Sequence, residues 1–110
     1  MDIVVTIPKS EYANDDLETE AFLDNEGSCQ FWTLSRVPQK LEVGDRVYFV
    51  KNGRVESSMR AFEIRKDAIQ KCDVTDRVWQ GKCIIYMDDL QYCDEIIPAK
   101  GFQGYRYIWW

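Results

Sequence analysis

Apolar residues come in short runs separated by turn-forming residues, the rhythm of strands and hairpins. Ile3-Val4-Val5-Thr6-Ile7 is a largely β-branched run stopped by Pro8 and predicts a first strand. Next comes a helical pattern: Asn14 or Asp15 supplies a cap, and a helix beginning near Asp16 places Leu17 and Ala21 on one face beside Phe22. Asp15, Asp16 and Glu18 suit its positive end, and Gly27 is its stop. Beyond residue 30 the pattern is mostly β. Phe31–Leu34 predicts a short strand broken by Pro38. Leu41 and Val43 lead into a Gly44-Asp45 turn, and Arg46–Lys51 reads as a strong strand. Asn52-Gly53 tolerates positive φ at both positions and predicts a tight hairpin returning through Arg54-Val55 and then Met59–Ile64.

Lys66–Asp76 reads either as a short helix, with Ala68, Ile69 and Cys72 on one side, or as a loop. Lys82–Met87 and Tyr92–Ile97 predict two more strands. Pro98 and Gly101 mark a turn before an aromatic strand from Gln103 to Trp110. There is no internal repeat and no Pro/Gly/Ser-rich linker, so residues 1–110 are expected to form one domain. Six or seven strands with one or two helices, joined mainly by hairpins, predict an α+β fold built on a small, mostly antiparallel barrel.

The stretch Phe31-Trp32, Val37-Pro38, Leu41, Gly44-Asp45 and Arg46–Val50, with Gly53-Arg54-Val55 opening the partner strand, resembles the PUA-like superfamily. These are the small barrels that include the ASCH, EVE and YTH domains. Lys100–Ile108, with its Gly-aromatic-Arg-aromatic order, resembles the closing strand of such domains. The resemblance covers about residues 30–64 and 98–109. It implies a barrel that binds RNA or a modified base in a pocket between the early helix and the barrel. Trp32 matches the position of an aromatic wall, with Ser35 and Arg36 just after it and Arg60 or Arg106 as further polar contacts. An indole wall fits that role because base stacking contributes roughly 1–3 kcal/mol per base. The Gly-x-Lys-x-x-Glu-x-Arg stretch of the ASCH amidohydrolases is missing; the first segment holds Lys9 and Glu11 without the glycine or arginine.

Charge and composition narrow the possibilities. The formal net charge is −5 and the chain contains no histidine, which excludes Ser-His-Asp and Cys-His catalysis. Cys29, Cys72, Cys83 and Cys93 contain no Cys-x-x-Cys pair, so no metal or other cofactor is expected, and the thiols read as reduced. Bases concentrate between Arg36 and Lys66, whereas acids fill positions 11–26 and 88–95, making the middle hairpin locally cationic. Tyr86-Met87-Asp88-Asp89-Leu90 copies the metal-binding turn of reverse transcriptases. A chain of 110 residues has no room for a palm, fingers and a template cleft, so the expectation is a strand ending in an acidic turn, at most a weak cation site.

No stretch approaches the roughly 20 apolar residues of a membrane span, and Met1–Val5 lacks the marks of a signal peptide. A cytoplasmic protein without a membrane partner is expected. The leading expectation is a binding module, rather than an enzyme, for RNA or for single-stranded or modified DNA. The first alternative is an acidic protein-interaction module, of phage or mobile-element accessory type, that docks through residues 11–26. The second is a hydrolase of a modified nucleoside using Lys9 or Lys51 with a carboxylate.

Overall fold

The structure is a computed structural model describing residues 1–8, 17, 30–71 and 78–109, with the backbone alone described for 67–71 and 78–81. Six strands form one curled sheet: β1 (Ile3–Thr6), β2 (Gln30–Leu34), β3 (Arg46–Lys51), β4 (Arg54–Lys71), β5 (Val78–Tyr92) and β6 (Tyr105–Tyr107). Their order is β2-β5-β4-β3-β1-β6. β1 runs parallel to β3, and every other neighbouring pair is antiparallel. The edges, β2 and β6, share no ladder among the described residues, so the sheet is a half-barrel with a seam.

Three sequence expectations are corrected. Lys66–Lys71 is neither helix nor loop, because it continues β4 with Lys66 opposite Cys83 and Lys71 opposite Val78. Cross-strand pairing overrides the weak helical spacing of Ala68 and Ile69. Tyr92–Ile97 is not a strand: β5 ends at Tyr92, and the following segment lies beside the start of β4, where Val55 N–H donates to the Ile97 carbonyl at 2.9 Å. The C-terminal aromatic strand is limited to Tyr105–Tyr107. Of the expected early helix only Leu17 is described; it is helical and exposed, and the remainder lies outside the described residues, as do Cys29 and Cys72.

The predicted hairpin is present. Asn52 and Gly53 both adopt positive φ, 57° and 75°, the pairing that matches a tight turn to strand twist. At the other end of β3, Gly44 at φ 100° allows its N–H to reach the Ala61 carbonyl at 2.8 Å. Asp45 binds there twice, accepting from Glu42 N–H at 2.9 Å and from the N-terminal ammonium at 2.7 Å.

The long β4–β5 ribbon contains two bulges. Between the Ser58↔Gln91 and Arg60↔Asp88 pairs, Met59 alone opposes Asp89 and Leu90. Between Ala61↔Met87 and Glu63↔Tyr86, Phe62 is the extra residue on β4. The two offsets cancel, so the register at Glu63 matches that at Ser58. Bulges add bend and twist, which a ribbon this long needs in order to curl. They also switch the inward phase. Met59 and Ala61 face the core before the second bulge and Ile64 after it; on β5, Cys83, Ile85 and Met87 are joined there by Leu90.

The concave face holds the main core, with Ile3, Val5, Val47, Phe49, Met59, Ile85 and Met87 at its centre. A second, smaller core on the convex side of β1 and β3 packs Val4, Val50, Val55 and Ala99 against Phe102 and Ile108. β1 is therefore buried on both faces, which explains its unbroken apolar run in place of alternation.

Two stability predictions follow from the turns. Gly53→Ala places a Cβ at φ 75° and should cost about 1 kcal/mol in urea unfolding, with Gly53→Asn nearer wild type. The N-terminal ammonium, then the Glu42 N–H, hold the Asp45 carboxyl below its ordinary value against the opposing effect of burial. A depressed carboxylate stabilises above its unfolded value and loses that contribution as pH falls through the folded one. Asp45→Asn should therefore reduce stability at pH 7 by up to about 1 kcal/mol. The difference from wild type should disappear in unfolding curves taken well below the ordinary carboxylate range.

Candidate anion-binding cleft

A cleft of about 540 Å³ opens at the seam of the half-barrel, lined by Ser35, Arg36, Val37, Gln39, Lys40, Lys82, Tyr105 and Tyr107. Each side comes from a different part of the chain. Pro38 and the end of β2 turn residues 35–40 across the opening. Lys82 precedes Cys83, which pairs with Leu34 at the end of β2. Tyr105 and Tyr107 stand two apart on β6, so the strand period puts both rings on one side and Arg106 on the other.

Among the described residues the cleft is lined by three cations and no carboxylate, although the chain as a whole has a net charge of −5. The Arg36 guanidinium lies 5.5 Å from the centre of the Tyr105 ring, and the Lys40 ammonium lies 5.8 Å from that of Tyr107. The two rings meet edge to face at 5.8 Å. Lys40 N–H donates to the Tyr107 hydroxyl at 3.1 Å, tying the loop to β6. Burial, the largest effect, pushes the Tyr105 hydroxyl above its ordinary range, with the neighbouring Tyr107 adding to it and Arg36 opposing. The result is a neutral aromatic floor beneath fixed positive charge, suited to a flat or anionic group.

The remaining cations of the middle segment are arranged differently. Arg60 forms a two-pronged pair with Asp88, Nε to Oδ1 and Nη2 to Oδ2, both at 3.0 Å. Arg46 donates to Asp89 Oδ2 at 2.8 Å, to the Asp89 carbonyl at 2.8 Å and to the Ser58 hydroxyl. Arg54 pairs with Glu56, and Arg65 with Glu63. Arg46 and Arg60 are direct cross-strand neighbours on β3 and β4, a like-charge contact that Asp88 and Asp89 neutralise. The expectation of a cationic hairpin is thereby corrected, because folding brings carboxylates from β4 and β5 onto its arginines.

The paired aspartates are likewise not a solvated turn. They lie within β5, and Asp89 takes φ 53° at the bulge, a conformation that short polar residues tolerate. Their partners are guanidinium groups, and among the described residues no group of three or more Cys, Asp or Glu side chains could hold a metal ion.

The structure thus brings Ser35 and Arg36 to the cleft and places the other sequence candidates elsewhere. Arg60 is ion-paired on the sheet. Arg106 lies on the opposite side of β6 with its guanidinium 4.6 Å from the centre of the Phe102 ring. Trp32 packs its half-buried ring against Phe49, at 5.5 Å and tilted by 60°, and joins the main core. Lys51 is at the far hairpin, opposite Arg54, while Lys9 and residues 11–16 and 18–26 of the acidic segment are outside the described residues. Sequence reasoning missed Lys40, Lys82, Tyr105 and Tyr107. The Tyr-Arg-Tyr alternation was the available signal for the tyrosines; nothing local links Lys82 to β6.

No family model, curated protein or solved structure matches the chain.

Trp32→Ala removes a ring packed on Phe49 and should cost about 2–3 kcal/mol in denaturant unfolding, less than a fully buried aromatic. A variant that unfolds like wild type would show that Trp32 contributes little to the core.

Proposed function

We propose that this chain is a nucleic-acid-binding module whose seam cleft takes a base, plain or modified, against Tyr105 and Tyr107. Arg36, Lys40 and Lys82 hold the accompanying phosphate, and Ser35 and Gln39 supply neutral hydrogen-bonding groups at the rim. The observation that carries this reading is two cations, Arg36 and Lys40, over two tyrosine rings with Lys82 beside them, and no carboxylate among the described lining residues. The arginines of β3 and β4 have carboxylate partners, so an incoming phosphate meets less competition at the cleft than at Arg46, Arg54, Arg60 or Arg65.

The PUA-like resemblance of residues 30–64 and 98–109 supports the same reading, since it implies an aromatic-walled base pocket on a small barrel. In our proposal the wall passes from Trp32 to the β6 tyrosines. Arg60 and Arg106 drop out of the contact set, while Ser35 and Arg36 stay in it. Recognition of a positively charged modified base would gain an attraction to the tyrosine faces, set against repulsion from the three cations.

Titration of short single-stranded RNA and DNA, followed by tryptophan fluorescence, tests the proposal. Arg36→Ala/Lys40→Ala/Lys82→Ala should weaken binding at least about 30-fold with only a small fall in the unfolding midpoint, because all three side chains are exposed and two of them give up a ring contact. Arg106→Ala should leave the affinity within about twofold. Absence of saturable binding to any RNA or DNA by the unsubstituted protein would overturn the proposal and direct attention to a protein partner.

A further inference from the structure

We infer that the seam cleft is built for one nucleotide carrying a terminal phosphate monoester, not for a strand that runs through it. The inference rests on the nucleic-acid reading of the cleft and narrows the ligand class. Its first ground is size. A volume of about 540 Å³ falls in the range of small-ligand sites and is large enough for one nucleotide.

The second ground is charge stoichiometry. Arg36, Lys40 and Lys82 converge on one opening with no carboxylate among the described lining residues. A terminal phosphate monoester carries about −1.5 to −2 charges at pH 7, close to what three cations can compensate, whereas an internal phosphodiester carries one. The third ground is that the arginines leading away from the cleft are engaged. Arg46, Arg54, Arg60 and Arg65 are ion-paired, and Arg106 lies over Phe102 on the other side of β6. A strand continuing over these arginines would have to compete with the carboxylates they already hold.

Two sources supply this chemistry, a free nucleoside monophosphate and the phosphorylated end of a strand, and the test separates them. The probes are the four common nucleosides, their 5′- and 3′-monophosphates, inorganic phosphate, and oligonucleotides of increasing length with phosphorylated or hydroxyl ends. At least one monophosphate should bind about tenfold or more tightly than its nucleoside and than inorganic phosphate. Phosphorylated strands that match it at every length identify a strand end as the source; binding of the mononucleotide alone identifies the free nucleotide. Either pattern supports the inference.

Affinity should also fall as pH drops through about 6, where a phosphate monoester takes up its second proton. Among the described residues the titratable groups facing the cleft are Arg36, Lys40, Lys82, Tyr105 and Tyr107, and the chain has no histidine, so a step near pH 6 would belong to the ligand. Hydroxyl-ended oligonucleotides that bind as tightly as phosphorylated ones, and more tightly with length, would overturn the inference while leaving the nucleic-acid reading intact. The inference also fails if inorganic phosphate matches the nucleotides, and both readings fail if none of the nucleosides, nucleotides or oligonucleotides binds.

Discussion

The structure depends on a short strand buried on both of its faces. Ile3, Val4 and Val5 are fully buried, with Ile3 and Val5 in the main core and Val4 in the smaller one. β1 pairs in parallel with β3 and is, among the described residues, the one ladder partner of β6. Without it the Tyr105–Tyr107 segment would have nothing to hold it against the sheet, and the cleft would lose its aromatic side. The placement of Ile3 opposite Tyr107 and of Val5 opposite Tyr105 sets the position of both rings. A four-residue strand can be held this firmly because its neighbours close over it: Arg46 N–H donates to Asp2 and Phe102 N–H to the Thr6 hydroxyl.

Register also governs the electrostatics. The β4–β5 ribbon places Asp88 opposite Arg60, and the bulge beside it turns the Asp89 carbonyl and carboxylate toward Arg46. Two arginines that would repel across β3 and β4 are thus each bound to an acid from β5. These pairs are partly exposed, so their direct contribution to stability is small. Their larger consequence is for the location of uncompensated charge. With the sheet arginines ion-paired, Arg36 and Lys40 of the 35–40 loop differ from them in resting on tyrosine rings with no carboxylate partner among the described residues.

The aromatic residues divide between packing and exposure for a simple geometric reason. Trp32 lies on β2 facing the concave side, where Phe49 and the surrounding aliphatic residues enclose it. Tyr105 and Tyr107 face the same side from the opposite edge, but the missing ladder between β2 and β6 leaves them partly open. An aromatic ring near the seam is available to a ligand, and one further inside is core.

Local chemistry made much of the sheet legible from the chain alone. The β-branched run at Ile3, the apolar stretch Arg46–Lys51 and the Asn52-Gly53 turn each specify their conformation through neighbours within a few residues. Ser35 and Arg36 stand out only through the PUA-like resemblance, as the residues just after Trp32. The extension of β4 through Lys71, the paired bulges, the loss of a strand at Tyr92–Ile97 and the neutralisation of Arg46 and Arg60 were not legible. Each depends on which residue stands across from which, and sequence spacing carries no record of that partner. The same holds for the cleft, whose loop, lysine and tyrosines come from residues about 70 positions apart. Local propensity shapes the strands; burying β1 on both faces brings the edges of the sheet close enough to make the cleft.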